Sequence, residues 1–233
     1  MDNAISRLLS ILEEGRNHKG GTPCLAVWKS ILKVESDIEV PERYGQVLAL
    51  AGKAAEEVLR ISPSSIDGVN HWRSRILSAM SNSTMTSPWE TFYGQIDKHT
   101  FIYLRMQAEL IDGKVPTKSL DAEKLSKARQ HLQVALKEIR DSDLSPNIRM
   151  VLIARIQSII SAIDNYSISG QEEIFDSFKS ALFDVAAVAH KEGDFPGKSK
   201  VREGLTILAD LMSFADGLIS LSGPVSQLLK SLP

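Results

Sequence analysis

Six side chains of this sequence could supply a catalytic base, a nucleophile or a soft metal ligand at neutral pH. They are one cysteine and five histidines: Cys24, His18, His71, His99, His131 and His190. Imidazole titrates near neutral pH and binds transition metals, and a thiolate is a strong nucleophile. No two histidines have the spacing that places two metal ligands on one helix face, and a lone cysteine can form neither an internal disulfide nor a cysteine-based zinc site. The sequence predicts no metal site.

Motifs for nucleotide binding and nucleophilic catalysis are absent. Neither GxGxxG, GxxxxGK[ST] nor GxSxG occurs, so no cofactor is predicted. Cys24 lies in the first turn of a predicted helix, where the helix dipole can lower a thiol pKa, but a free cysteine more often packs as a small hydrophobic residue. The carboxylates of Glu172, Glu173 and Asp176 fit a helix N-terminus, where they oppose the dipole, better than a metal site.

An enzyme whose catalytic residues are dispersed over several helices would leave no motif. For this alternative, a hydrolase or nuclease, the first candidates are histidines with a carboxylate partner: His71, His99 and His131, with Glu90 or Asp97. This alternative gains support if two of these groups lie within hydrogen-bond reach of each other in a concave pocket, and it fails if all of them are dispersed on convex surface.

Aromatic residues concentrate between Trp89 and Tyr103, with Trp72 just upstream. Trp89, Phe92 and Tyr93 share one face of a helix, because they are three and four residues apart. Such side chains usually belong to a core, but tryptophan and tyrosine also dominate binding hot spots. The predicted partner-binding residues are therefore Trp72, Trp89, Phe92 and Tyr93.

The elements that must position these residues are helices. Apolar side chains recur at helical spacing, and no alternating run bounded by hairpin turns predicts a strand. Ser87-Pro88-Trp89-Glu90 matches a capping box, which should start one long helix. We expect an all-α multi-helix bundle of seven to nine helices, over about 3–14, 23–35, 41–61, 71–80, 88–110, 125–139, 146–163, 174–190 and 201–221.

The segment 112–118, with Gly113 and Pro116, is the best linker candidate. It separates an irregular tryptophan-containing region, 1–112, from a C-terminal helical bundle, 119–233; one continuous domain remains the alternative. The connection Asp141–Leu144 is short, which predicts an antiparallel hairpin of the helices on either side.

The charges are balanced over the 233 residues. The chain has 27 lysine and arginine residues and 29 aspartate and glutamate residues. Residues 1–115 hold 13 basic and 14 acidic residues, and residues 116–233 hold 14 basic and 15 acidic residues. Nucleic-acid binding normally requires a basic excess, so no nucleic acid is expected as a partner, although a local basic patch is compatible with this balance.

The expected location is the cytoplasm, because the first residues lack the pattern of a signal peptide and a single cysteine is typical of a reducing compartment. Residues 204–229 carry only two charges, Asp210 and Asp216. Two aspartates in mid-span oppose membrane insertion, so no stable span is predicted. A membrane-active effector that uses this C-terminal helix is a further alternative.

Two runs, 136–146 and 162–170, are similar to helical segments of uncharacterised bacterial proteins found among toxin–antitoxin and phage-defence genes. Amphipathic helical hairpins in general produce such strings, so the similarity assigns no family. With no catalytic motif present, we expect a non-enzymatic protein–protein interaction module, an accessory, regulatory or immunity component of such a system. A protein partner or a homo-oligomer is expected.

Overall fold

The computed structural model describes residues 2–192 and 196–215 and is all-α over these ranges, as predicted. Nine of its eleven helices have seven or more residues, and the described residues form no strand. The helices are α1 Ala4–Glu14, α2 Cys24–Ile31, α3 Val40–Ile61, α4 Ile66–Asn82, α5 Trp89–Tyr93, α6 Lys98–Lys114, α7 Ala122–Arg140, α8 Pro146–Asp164, α9 Tyr166–Ser169, α10 Gln171–Glu192 and α11 Lys198–Ala215. The chain forms two compact units, the N-terminal unit Met1–Thr117 and the C-terminal unit Lys118–Pro233. The predicted division into two domains, 1–112 and 119–233, stays a prediction.

In the N-terminal unit, α1 packs against α3 and α6, and α4 packs against α3, α5 and α6. Each helix buries one apolar stripe, which its helical spacing creates. The largest fully buried side chains of this unit include Trp28, Trp72, Trp89, Phe92, Leu8, Leu12, Leu104 and Ile111. The three tryptophans of the sequence are therefore all in this core.

Two loops of the N-terminal unit pair with each other and fix where α2 and α5 begin. The N–H of Cys24 donates to the carbonyl of Ser87, and the N–H of Trp89 donates to the carbonyl of Thr22, each at 2.8 Å. A helix leaves its first N–H groups without helical partners, and here the opposite loop supplies their acceptors. The two loops thus hold the N-termini of both helices together.

The predicted capping box is wrong. The Ser87 hydroxyl accepts from the N–H of Thr84 at 3.0 Å, and the N–H of Glu90 donates to the Gly20 carbonyl at 2.9 Å. The predicted single helix over 88–110 is also wrong, because α5 ends before Gly94 and Asp97 begins α6. The Asp97 carboxylate accepts from the N–H of Thr100 at 2.8 Å, the bond that makes aspartate a favourable N-cap.

Two further helix limits differ from the predicted ones. Helix α2 ends at Ile31 and not near Glu35, because Lys33 adopts a positive φ of 53° and the N–H of Val34 bonds to the carbonyl of Lys29. This is a Schellman termination, formed here with lysine in place of the usual glycine. Helix α4 begins at Ile66 and not near residue 71, so residues 66–70 are helical as well.

The C-terminal unit is a four-helix bundle of α7, α8, α10 and α11. Helix α7 packs against α8 and α11, and α10 packs against α8 and α11. The connections between successive helices are short, which makes neighbours antiparallel and confirms the predicted hairpin of α7 and α8. The core takes one stripe from each helix, with Leu132, Leu152, Phe178 and Leu205 among its buried residues.

Helix α11 lies very close to α7. A Cβ atom on Gly204 would lie 2.9 Å from Leu132 Cγ, and one on Gly197 would lie 3.0 Å from the carbonyl oxygen of Ala135. The predicted helix over 201–221 and the apolar stretch 204–229 extend beyond the described residues. In the part of the chain that is described, no helix is both long enough and apolar enough to cross a bilayer.

Candidate functional site

Three of the four predicted partner-binding residues lie in the core. Trp72 and Phe92 are completely buried and Trp89 is 2% exposed, whereas Tyr93 is only partly buried. The Trp89 ring stacks on Phe92 with centroids 4.9 Å apart, and both rings contact Trp28 edge-on. Partner binding by these residues stays a prediction, while the contacts of Trp89 and Phe92 with Trp28 pack α5 against α2.

The buried indole N–H groups have acceptors. Trp72 Nε1 donates to the side-chain oxygen of Gln107 at 2.8 Å, and Trp89 Nε1 donates to the Gly15 carbonyl at 2.9 Å. The Gln107 amide in turn donates to the carbonyl of Ser65 at 3.3 Å. An indole buried without an acceptor would lose the hydrogen bond that its N–H group makes to water, which would destabilise the folded state. These two hydrogen bonds remove that penalty for Trp72 and Trp89.

Two of the predicted catalytic candidates, His71 and Asp97, lie in contact with each other. His71 on α4 and Asp97 at the start of α6 are within hydrogen-bond distance, with 3.1 Å between His71 Nε2 and Asp97 Oδ1. Arg75 Nε lies 3.2 Å from Asp97 Oδ2. The Asp97 carboxylate therefore contacts two side chains of α4, those of His71 and Arg75. Burial opposes ionisation of the carboxyl group, but hydrogen bonds from Thr100 and His71 outweigh it and lower the pKa of Asp97 to about 2.

His99 and Tyr103 complete this group of side chains. The centroid of the His71 ring is 6.3 Å from that of His99 and 5.3 Å from that of Tyr103. Tyr103 can approach α4 because residue 68 is glycine: a Cβ atom there would lie 3.0 Å from Tyr103 Cδ1. We call His71, Arg75, Asp97, His99 and Tyr103 the His71–Asp97 cluster.

Sequence reasoning missed Arg75 and Tyr103. A signal was present, since Arg75 follows His71 by four residues and Tyr103 follows His99 by four, which places each pair on one helix face. The packing of α4 beside α6, which brings the two pairs together, could not be inferred from either helix alone.

The remaining candidates lie elsewhere. His131, in the C-terminal unit, pairs with Glu203 at 2.8 Å between Nδ1 and Oε2, and Lys200 lies 3.0 Å from the same oxygen. Glu90 lies beside Gly20, and His190 belongs to α10. The described residues contain no group of three histidine, cysteine, aspartate or glutamate side chains arranged to hold a metal ion.

Cys24 is buried, and its Sγ lies 3.7 Å from the carbonyl oxygen of Pro88. Burial raises the pKa of the Cys24 thiol, so its position at the start of α2 does not produce a reactive thiolate. The arrangement is that of a packed, unreactive thiol.

The exposed face of α6 carries apolar side chains next to the cluster. Met106 is 61% exposed and Ile102 is 45% exposed, and they are one helical turn apart beside Tyr103. We call Ile102, Tyr103 and Met106 the α6 patch. Lys98, one turn before Ile102, adds an exposed positive charge at its edge.

The chain matches no protein-family model, no curated protein and no solved structure. What the protein does must therefore be argued from its own side chains.

Proposed function

We propose that this protein is a helical interaction module that binds a partner through the α6 patch. The observation that supports this proposal is the exposure of Ile102 and Met106 one turn apart on α6, next to the partly exposed ring of Tyr103. Large apolar side chains at this spacing form a stripe to which the apolar face of another helix can pack. This surface is exposed, whereas the predicted contact residues Trp72, Trp89 and Phe92 are buried.

The proposed partner segment is an amphipathic helix with acidic residues along one edge. Its apolar positions would cover Ile102 and Met106. Its carboxylates would face Lys98 and Arg75, which add positive charge near the N-terminal end of α6. Such complementary charges chiefly speed association and select among partners.

The proposed setting is the bacterial cytoplasm, where the protein would be an accessory, regulatory or immunity component of a toxin or phage-defence system. Two helical runs, 136–146 and 162–170, supply the similarity on which this setting rests. A second copy of the chain is the other occupant to consider, because a homo-oligomer would cover the same apolar stripe.

The test compares three tagged proteins in pull-downs from the native host, followed by mass spectrometry. They are the wild-type chain, the double variant Ile102→Glu/Met106→Glu, and the control Met150→Glu. Met150 lies on α8 and is 64% exposed, so its substitution introduces the same charge at a similarly exposed methionine outside the α6 patch. A partner of the α6 patch is captured by the wild-type protein and the control and lost with the double variant.

The captured protein is then purified and its affinity for each variant measured by titration calorimetry. We expect the double variant to weaken binding by at least tenfold and the control to bind like the wild type. Equal affinity for all three proteins would contradict the proposal. Light scattering that shows a dimer sensitive to the double substitution would instead identify a second copy as the occupant.

A further inference from the structure

The His71–Asp97 cluster places two imidazoles close together, and one of them has a defined orientation. The ring centroids of His71 and His99 are 6.3 Å apart, and the planes are nearly perpendicular at 84°. Because a carboxylate can only accept a hydrogen bond, Asp97 fixes the proton of neutral His71 on Nε2 and leaves Nδ1 as a base. His71 is partly exposed and His99 is exposed, so solvent reaches both rings.

From this arrangement we propose that the His71–Asp97 cluster cleaves single-stranded RNA by transesterification. In this reaction the 2′-hydroxyl group next to a phosphodiester attacks its phosphorus atom and displaces the 5′-oxygen. The reaction needs one base and one acid, and the substrate itself supplies the nucleophile. Two neighbouring imidazoles can fill these two roles, one as the base and the other as the acid. His71, Asp97 and His99 take no part in the proposed partner binding, whereas Tyr103, Arg75 and Lys98 are used by both proposals.

The step balances without a co-reactant. Nδ1 of His71 takes the proton of the 2′-hydroxyl group, and the 2′-oxygen forms a bond to phosphorus. The bond between phosphorus and the 5′-oxygen breaks, and the imidazolium of His99 gives its proton to that oxygen. The products are a 2′,3′-cyclic phosphate and a 5′-hydroxyl end, and exchange with water restores the two protonation states.

Arg75 and Tyr103 supply the remaining interactions. Arg75 contacts Asp97 through its Nε atom. The guanidinium group has four further N–H donors, which can bind phosphate oxygens. The Tyr103 ring lies 5.3 Å from His71 and is 36% exposed, so it offers a face on which a base can stack. Asp97 is a positioning residue, because it acts on the substrate only through His71 and Arg75.

The charge near the cluster agrees with a short RNA segment as the substrate. The whole chain carries a formal charge of −2, which is unsuited to binding a long nucleic acid. At the cluster, however, Arg75 and Lys98 add two exposed positive charges beside Asp97. We expect contact with one or two phosphates and loss of activity at high salt.

The C-terminal unit provides a matched control. His131 pairs with Glu203, and Lys200 binds the same carboxylate, so a histidine, a carboxylate and a cation are grouped there as well. The side chains of His131 and His71 are 31% and 30% exposed. The described residues around His131 supply no second histidine ring in contact with it, so His131→Ala should leave RNA cleavage unchanged.

The test uses a fluorescent single-stranded RNA of mixed sequence and its 2′-O-methyl counterpart, each incubated with the full-length protein. We expect the wild type to cleave only the unmodified RNA and to leave 2′,3′-cyclic phosphate ends, identified by mass spectrometry. His71→Ala and His99→Ala should each lower the rate by roughly 100-fold or more. Asp97→Asn keeps a good N-cap and should lower kcat with little change in KM.

Circular dichroism and the melting temperature establish that each variant is folded. Absence of cleavage by the wild-type protein would overturn the proposal. Cleavage that survives His71→Ala and His99→Ala would overturn it too, because it would come from another site or a contaminating nuclease. Equal loss in the His131→Ala control would show that the effect is not specific to the cluster.

Discussion

At the scale of single residues, the tryptophans show how this chain combines burial with polarity. Trp72 and Trp89 bury their rings in the core, and each places its indole N–H against one acceptor. The acceptor of Trp89 is a backbone carbonyl, that of Gly15, and a Cβ atom on Gly15 would lie 2.8 Å from the Trp89 ring. The position of Trp89 is therefore determined by shape and by hydrogen bonding together.

Trp89→Ala should strongly destabilise the N-terminal unit. The substitution leaves a cavity beside Phe92 and Trp28, for which the expected loss is about 3–5 kcal/mol of unfolding free energy. Urea titration followed by circular dichroism measures it. Tyr93→Phe is the control, because it removes only a hydroxyl group that accepts from Arg16 at the surface. A Trp89→Ala protein as stable as the wild type would support the predicted binding role over the packing role.

Ionised Asp97 stabilises the folded protein, and this contribution is lost at acid pH. Its pKa is about 2 in the folded protein, below the ordinary value near 3.8. A lowered folded-state pKa stabilises the protein above the unfolded-state pKa, and this stabilisation is lost as the pH falls through the folded-state value. We therefore expect the stability difference between the wild type and Asp97→Asn to shrink between about pH 4 and pH 2. Thermal melts across this range measure it, and a difference that does not change with pH would contradict the assigned hydrogen bonds.

At the scale of elements, the helices could be predicted from the sequence and their pairing could not. Apolar spacing located every long helix, because one buried stripe is enough to create it. The break between α5 and α6 was missed because Asp97 acts as an N-cap only where the chain turns after Gly94. The start of α5 was misassigned because its first N–H groups donate to carbonyl groups of the loop around Gly20, which is more than sixty residues away in sequence. Bringing His71 to Asp97 likewise requires α4 and α6 to pack side by side.

Substitution of alanine for glycine should have opposite effects on stability at two helical positions, Gly204 and Gly52. Gly204→Ala places a methyl group 2.9 Å from Leu132 Cγ, and overpacking of this kind costs about 1–3 kcal/mol. Gly52, within α3, has open space around the Cβ position, so Gly52→Ala should stabilise by up to about 1 kcal/mol through helix propensity. Chemical denaturation of both variants tests this pair. A stabilising effect of Gly204→Ala would show that α7 and α11 separate easily.

At the scale of the whole molecule, each compact unit has the contents of a folding domain. The N-terminal unit joins its first and last segments, because the N–H of Asp2 donates to the Thr117 hydroxyl at 2.8 Å. The C-terminal unit closes a four-helix bundle around its own core. Chains of this size can bury enough apolar surface to fold alone.

We therefore expect fragments 1–117 and 118–233 each to be helical and to unfold cooperatively, as measured by circular dichroism during urea titration. A fragment ending at residue 96 is the control: it lacks α6, whose Phe101, Leu104 and Ile111 fill the N-terminal core, and should not unfold cooperatively. Fragment 1–117 contains both the α6 patch and the His71–Asp97 cluster, so it should retain partner capture and RNA cleavage if those proposals hold. Loss of cooperative unfolding in both long fragments would mean that the two units depend on each other for stability.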